Sequence, residues 1–180
     1  AHDASPYISV YPWSGGAFGT KVADPATLPG VAGLGVAWSP DGAYIAVASD
    51  STPFLQVYPW SGGAFGAKVA DPATLPAGGP GACPMVWSPD GAYIAIVGRT
   101  SPYLDVYPFA GGAFGTRLAD PATPPTDTVY GCRWTTDGAY LIVTNGSSVT
   151  TSPKIRAYPF SGGALGDPPV YGQSFGTASL

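Results

Sequence analysis

The chain has 180 residues, of which 10% are charged, and eleven acidic side chains, all Asp, against seven Lys plus Arg leave a net charge of −4. Its 26 Gly and 21 Pro make it poor in helix formers and rich in turn formers, so almost no helix is expected. No basic run could neutralise a row of phosphates, no run of about 18 apolar residues could span a membrane, and 5 Trp, 11 Tyr and 7 Phe argue against disorder.

The first recognisable element is "YISVYPW" at residues 7–13, followed by Gly15 and Gly16 and a short stretch "TKVAD" ending at Asp24-Pro25. The ten letters "VYPWSGGAFG" at 10–19 return unchanged at 57–66, and looser copies stand at 106–115 and 157–166. Pro6, Pro53, Pro102 and Pro153 align at spacings of 47, 49 and 51 residues, a period that marks repeated supersecondary units.

A full unit begins with "LGVAW" at 34–38, closed by "SPDG"; its sisters are "CPMVW" before a second "SPDG" and "YGCRW" before "TTDG". Asp followed by Gly suits a tight hairpin, because both tolerate unusual backbone angles. The next stretch, "AYIAVA", "AYIAIV" or "AYLIVT", is apolar at nearly every position, which predicts a strand buried on both faces. The third is "FLQVYPW", "YLDVYPF" or "KIRAYPF", ended by paired glycines, and the fourth is "AKVAD" or "TRLAD", stopped by Pro. Four strands per unit, with sheets stacked face to face, predict an all-β propeller of four-stranded antiparallel blades.

The order strand, "WSPDG", apolar strand, strand ending in an aromatic, then a Gly turn resembles WD40-type β-propeller repeats over the whole chain. The resemblance departs from that pattern in lacking a Gly-His pair before the first strand and in carrying "PW" or "PF" for the Trp-Asp dipeptide. Blades rich in "SPDGAYIAV" and "YPWSGGAF" are also similar to repeat arrays of tailed bacteriophages, which implies a structural role in a virion or another extracellular setting.

The units divide the chain into a half blade at 1–33, blades at 34–82 and 83–129, and a blade with an irregular tail at 130–180. The half blade lacks its first two strands, and "YGQSFGTASL" at the end supplies at most one more extended piece. About three and a half blades make an incomplete ring, and open propeller faces invite association. The expectation is therefore a protein partner or a second copy that completes the ring, or a longer polypeptide.

Chemistry is sparse. His2 is the single histidine, so a Ser/His/Asp or Cys/His apparatus has little to draw on, and catalysis is not expected. Cys83 and Cys132 form no zinc or redox motif, leaving their pairing open, and no cofactor is implied. Asp41, Asp90 and Asp137 fall in the hairpins and Asp24, Asp71 and Asp120 before prolines, where turn geometry accounts for them without a metal.

Trp38, Trp87 and Trp134 end the first strands, where regular recurrence points to packing between blades. The aromatics after Pro on the third strand, Trp13, Trp60, Phe109 and Phe160, are the candidates for contact with a ligand or partner. Two readings of them differ in class: a structural or interaction platform, and a lectin-like propeller stacking these rings on a cell-surface glycan.

Overall fold

A computed structural model describes residues 1–78, 80–146 and 154–169, with the side chains of 80–84 outside the description. The described residues hold fourteen strands and no helix. A two-stranded hairpin, β1 (Trp13–Ser14) with β2 (Ala17–Phe18), belongs to the half blade. Three four-stranded antiparallel sheets follow. The first blade is β3 (Gly33–Trp38), β4 (Tyr44–Ser49), β5 (Leu55–Ser61) and β6 (Ala64–Phe65). The second is β7 (Pro80–Trp87), β8 (Tyr93–Gly98), β9 (Leu104–Ala110) and β10 (Ala113–Phe114). The third is β11 (Val129–Trp134), β12 (Tyr140–Asn145), β13 (Ile155–Ser161) and β14 (Ala164–Leu165). This is an incomplete β-propeller.

The "SPDG" hairpin closes differently from the simple pairing its letters predict. Only Gly42 takes a positive φ, 71°, while the Asp41 carboxylate accepts from the Ser39 hydroxyl at 2.5 Å and the Ala43 amide at 3.0 Å. Asp90 with Ser88 and Ala92, and Asp137 with Thr135 and Ala139, repeat the arrangement. Those bonds hold all three carboxyls below the ordinary 3.8, the hydroxyl contributing most. At the other hairpin Gly62 and Gly63 sit at φ 56° and 78°, the pair of left-handed residues that a two-residue turn of this hand requires.

The second strands of the first two blades are buried on both faces as their composition predicts, Ile45, Ala46, Val47 and Ala48 having no accessible surface, whereas β12 is buried on one face only, with Leu141 and Val143 inside and Tyr140 and Thr144 exposed because no further blade packs on that side among the described residues. The fourth strand is displaced from its expected place. It is the two-residue Ala-Phe segment directly after the Gly pair, and "AKVAD" only runs alongside, with Val69 donating to Val57 at 2.9 Å. Lys68 and Asp71 pair across that segment, as Lys21 with Asp24 and Arg117 with Asp120 do in theirs. The aspartates before proline thus hold ion pairs as well as turns.

Among near-identical units, one third-strand position changes every time, buried in the two middle copies and half-buried in the outer two. The third residue of "FLQV" is Ser9, Gln56, Asp105 or Arg156. Ser9 meets His2 at 3.2 Å, and Gln56 donates to Ser49 at 3.4 Å. Asp105 accepts from the Ala77 amide at 3.2 Å and pairs with Arg117 at 3.2 Å, and Arg156 donates to the Pro124 carbonyl at 3.0 Å. In the last two blades this side chain ties down the linker that enters its own blade.

Candidate interaction surface

The joints between blades are built from one repeated contact. Tyr44, the first residue of β4, reaches into the next blade between Trp87 and Phe109, with ring centroids 6.4 Å and 5.0 Å away. Trp87 and Phe109 themselves meet edge to face at 5.1 Å. Tyr93 repeats the move one blade on, 4.8 Å from Phe160, which meets Trp134 at 4.8 Å. Each tyrosine hydroxyl also lies against the second turn glycine of the receiving blade, so a Cβ on Gly112 would come within 3.1 Å of Tyr44 and one on Gly163 within 2.9 Å of Tyr93. The third-strand aromatic and the first-strand Trp therefore form a socket, and the tyrosine of the preceding blade fills it.

In the first blade the socket is Trp38 and Trp60, 5.3 Å apart and edge to face. A tyrosine for this socket would come from a second strand upstream of the hairpin at 13–18, and the described residues include none. The consequence is visible residue by residue. Trp38 is 46% exposed where Trp87 is 5%, and Val36, two residues before it, is 48% exposed where Met85 is 6% and Cys132 is 7%. The half blade covers the outer part of this face through Ile8 and Val10, which cluster with Ile45, Val47, Tyr58 and Trp60. Between them lies a cleft of about 290 Å³ lined by Ile8, Val10, Tyr11, Phe18, Val36 and Trp38.

The four aromatics singled out from sequence thus occupy different environments. Trp13 is 61% exposed, packed only edge to face on Phe18 at 4.8 Å. Trp60 is half-buried in the open socket, and Phe160 is half-buried in a filled one. Phe109 is buried inside the filled joint. Of the first-strand tryptophans, Trp87 packs between blades as expected, and Trp38 faces an open side. The tyrosines of "GAY" were missed by sequence reasoning, although their recurrence at the head of each second strand was the available signal.

At the far end, Tyr140 is the third such tyrosine and is 42% exposed. The face it belongs to departs from the repeat: Arg133 stands where the register puts Ala37 and Val86, and Thr144 where it puts Ala48 and Val97. Among the described residues no cluster of three metal-ligating side chains gathers, and no helix is long and apolar enough to cross a membrane. Cys132 is buried on β11, while the side chain of Cys83, and with it the pairing question, lies outside the described residues.

Residues 27–54 match the family of the WD domain, G-beta repeat. Together with the fold this supports a WD40-like repeat protein. No curated protein sequence matches the chain. Among solved structures, a protein from Lactobacillus plantarum is similar with a TM-score of 0.63 at 18% identity, over 87% of this chain and 46% of its own. A "putative 6-phosphogluconolactonase" from Bacteroides uniformis gives 0.58 at 18% identity, over 87% and 49%, and another so described from Bacteroides fragilis gives 0.56 at 18%, over 72% and 36%. The chain spans less than half the length of each. At such identities the likeness concerns the fold.

Proposed function

We propose that the chain is a non-enzymatic propeller platform that acts by protein contact, its partner completing the ring at the open upstream face. The observation that carries this reading is the contrast between Val36 and Trp38, about half exposed, and Met85 and Trp87, buried at the same positions one blade later. An exposed apolar face of this kind marks a contact surface. The setting proposed from the character of the repeats is a phage particle or another extracellular assembly, with rigid stacked blades serving as a surface rather than a machine.

The platform reading is tested by turnover. Hydrolysis of a phosphorylated sugar lactone by the purified chain, abolished by point substitution, would sink it, since two similar structures carry a lactonase description. No turnover together with capture of a protein on the upstream face, lost in Trp38→Ala, is the expected result.

A glycan-binding role is the second reading, favoured by the exposure of the Trp13 ring. Trp13 and Trp60 are the residues proposed for it, because Phe109 and Phe160 are engaged in joints between blades. Binding on a glycan array that disappears in Trp13→Ala and Trp60→Ala without loss of fold would establish it over the platform.

A further inference from the structure

The joint between the first and second blades lies between two complete four-stranded sheets, away from both ends of the chain. On the side of the "SPDG" hairpins it holds a cleft of about 260 Å³, lined by Asp41 and Tyr44 of the first blade and by Trp87, Asp90, Phe109 and Gly111 of the second.

The hairpins use only half of each carboxylate. Oδ1 of Asp41 accepts from both Ser39 and Ala43, and Oδ1 of Asp90 from both Ser88 and Ala92, while Oδ2 takes none of these bonds. No cation answers the charge either. Asp24, Asp71 and Asp120 each pair with a Lys or Arg, whereas among the described residues the hairpin aspartates form no ion pair, and no Lys, Arg or His lines the cleft. The turn bonds hold both carboxyls below 3.8, so both are ionised at neutral pH.

Trp87 brings the opposite need. It is 5% exposed, and its indole Nε1–H has no hydrogen-bond partner. Buried polar groups in folded proteins are nearly always paired, and this one belongs to a ring that lines a cleft. The next joint repeats the set: the Trp134 indole N–H is likewise unpartnered, its ring meets Phe160, Phe160 meets Tyr93, and Asp90 and Asp137 stand in the two hairpins.

A ligand that fits must donate to two carboxylates, accept from an indole N–H and rest apolar surface on an aromatic ring. An ammonium or guanidinium donates but cannot accept, an anion is repelled, and a hydrocarbon does neither. A pyranose meets all these demands, its hydroxyls donating and accepting while its C–H faces pack on a ring. A cleft near the lower end of ligand-pocket sizes suits one such ring.

We propose that the cleft between adjacent blades binds a single hexopyranose, its hydroxyls on Oδ2 of Asp41, Oδ2 of Asp90 and the Trp87 indole, with the Tyr44 ring as the apolar wall. This rests on the glycan reading for its ligand class and gives that reading a site at the joints, apart from Trp13 and Trp60. The platform's contact face at Val36 and Trp38 is separate from it.

Titration of the full chain with the methyl glycosides of glucose, galactose, mannose and N-acetylglucosamine, followed through the indole signals of its nitrogen–proton NMR spectrum, tests it. The chain has 5 Trp, and the signal lost in Trp87→Phe identifies Trp87. The expected result is a saturable shift of that signal by at least one glycoside, with a Kd on the order of 1 mM. Asp41→Asn and Asp90→Asn keep an oxygen for the turn and put a donor in place of Oδ2, so each should weaken binding about tenfold, with the other indole signals unmoved to show that the fold is kept. No saturable shift with any glycoside, or binding that both Asn variants retain, overturns the inference. If retained binding is instead abolished by Trp13→Ala and Trp60→Ala, the glycan reading stands without this site; no glycoside binding together with a blank glycan array removes both.

Discussion

The joint between the first and second blades and the joint between the half blade and the first blade are made from the same residues and end in opposite states. In one, Tyr44 closes a socket of Trp87 and Phe109; in the other, Trp38 and Trp60 form the socket and nothing among the described residues fills it. The difference shows that the aromatic motif is a joint component whose role depends on its neighbour. A ring conserved in type and position is core in one blade and surface in the next.

The largest test of that contrast is a pair of truncations. Trp87→Ala empties a closed joint and should cost about 3 to 5 kcal/mol, whereas Trp38→Ala, half exposed, should cost about 1 kcal/mol or less. Urea denaturation of both variants measures the gap, and equal losses would mean that the upstream face is closed in solution. Next in size, Tyr44→Ala should destabilise by about 2 kcal/mol through lost ring contacts, and Tyr140→Ala by about 0.5 kcal/mol or less. The same denaturation series reads both.

A smaller effect separates two turn glycines, Gly62 at φ 56° and Gly112 at φ 78°, both in the left-handed region. Gly62→Ala and Gly112→Ala each force a side chain into the left-handed region, at about 1 kcal/mol. Only Gly112 also confronts Tyr44, at 3.1 Å from the added carbon, while nothing lies within 4 Å at Gly62. Thermal melts should therefore place the Gly112 variant below the Gly62 variant, and the order should vanish in a Tyr44→Ala background.

The smallest effect is one of acidity. Asp41, Asp90 and Asp137 are held below 3.8 by the hydroxyl and amide bonds of their turns, so their contribution to stability is present above the unfolded value and fades as pH falls through the folded one. Asp105 is shifted the other way, burial outweighing the Ala77 amide and Arg117. Its charged form works against folding at neutral pH, and that cost is relieved as pH falls through its raised value. Carboxyl resonances followed by NMR should show the three turn aspartates titrating below 3.8 and Asp105 above; a reversed order would contradict the buried linker contact.

The period, the four-strand unit and the doubly buried second strand of the first two blades were legible because they are local patterns repeated several times. The place of the fourth strand was not, because "AKVAD" and the Ala-Phe pair are both short and only the hairpin geometry after the Gly pair decides which one ladders. The state of the four third-strand aromatics was equally hidden. Phe109 and Trp13 have nearly the same local sequence context, and what distinguishes them is a tyrosine more than sixty residues from the first and, among the described residues, no such ring packed on the second. Local letters carry no record of either.

The polar third-strand residue that differs in every unit bears on how such a chain avoids confusing itself. Four nearly interchangeable segments can trade places during folding, each third strand accepting the wrong linker or hairpin at little apolar cost. Asp105 seated at another unit's linker would leave Arg117 behind, and Arg156 seated elsewhere would lose the Pro124 carbonyl. Separated from Arg117, Asp105 would be a buried charge without its counterpart, a penalty of several kcal/mol. The third-strand residue thus gives each unit contacts of its own in a sequence that otherwise repeats, and at Asp105 it penalises an exchange of units.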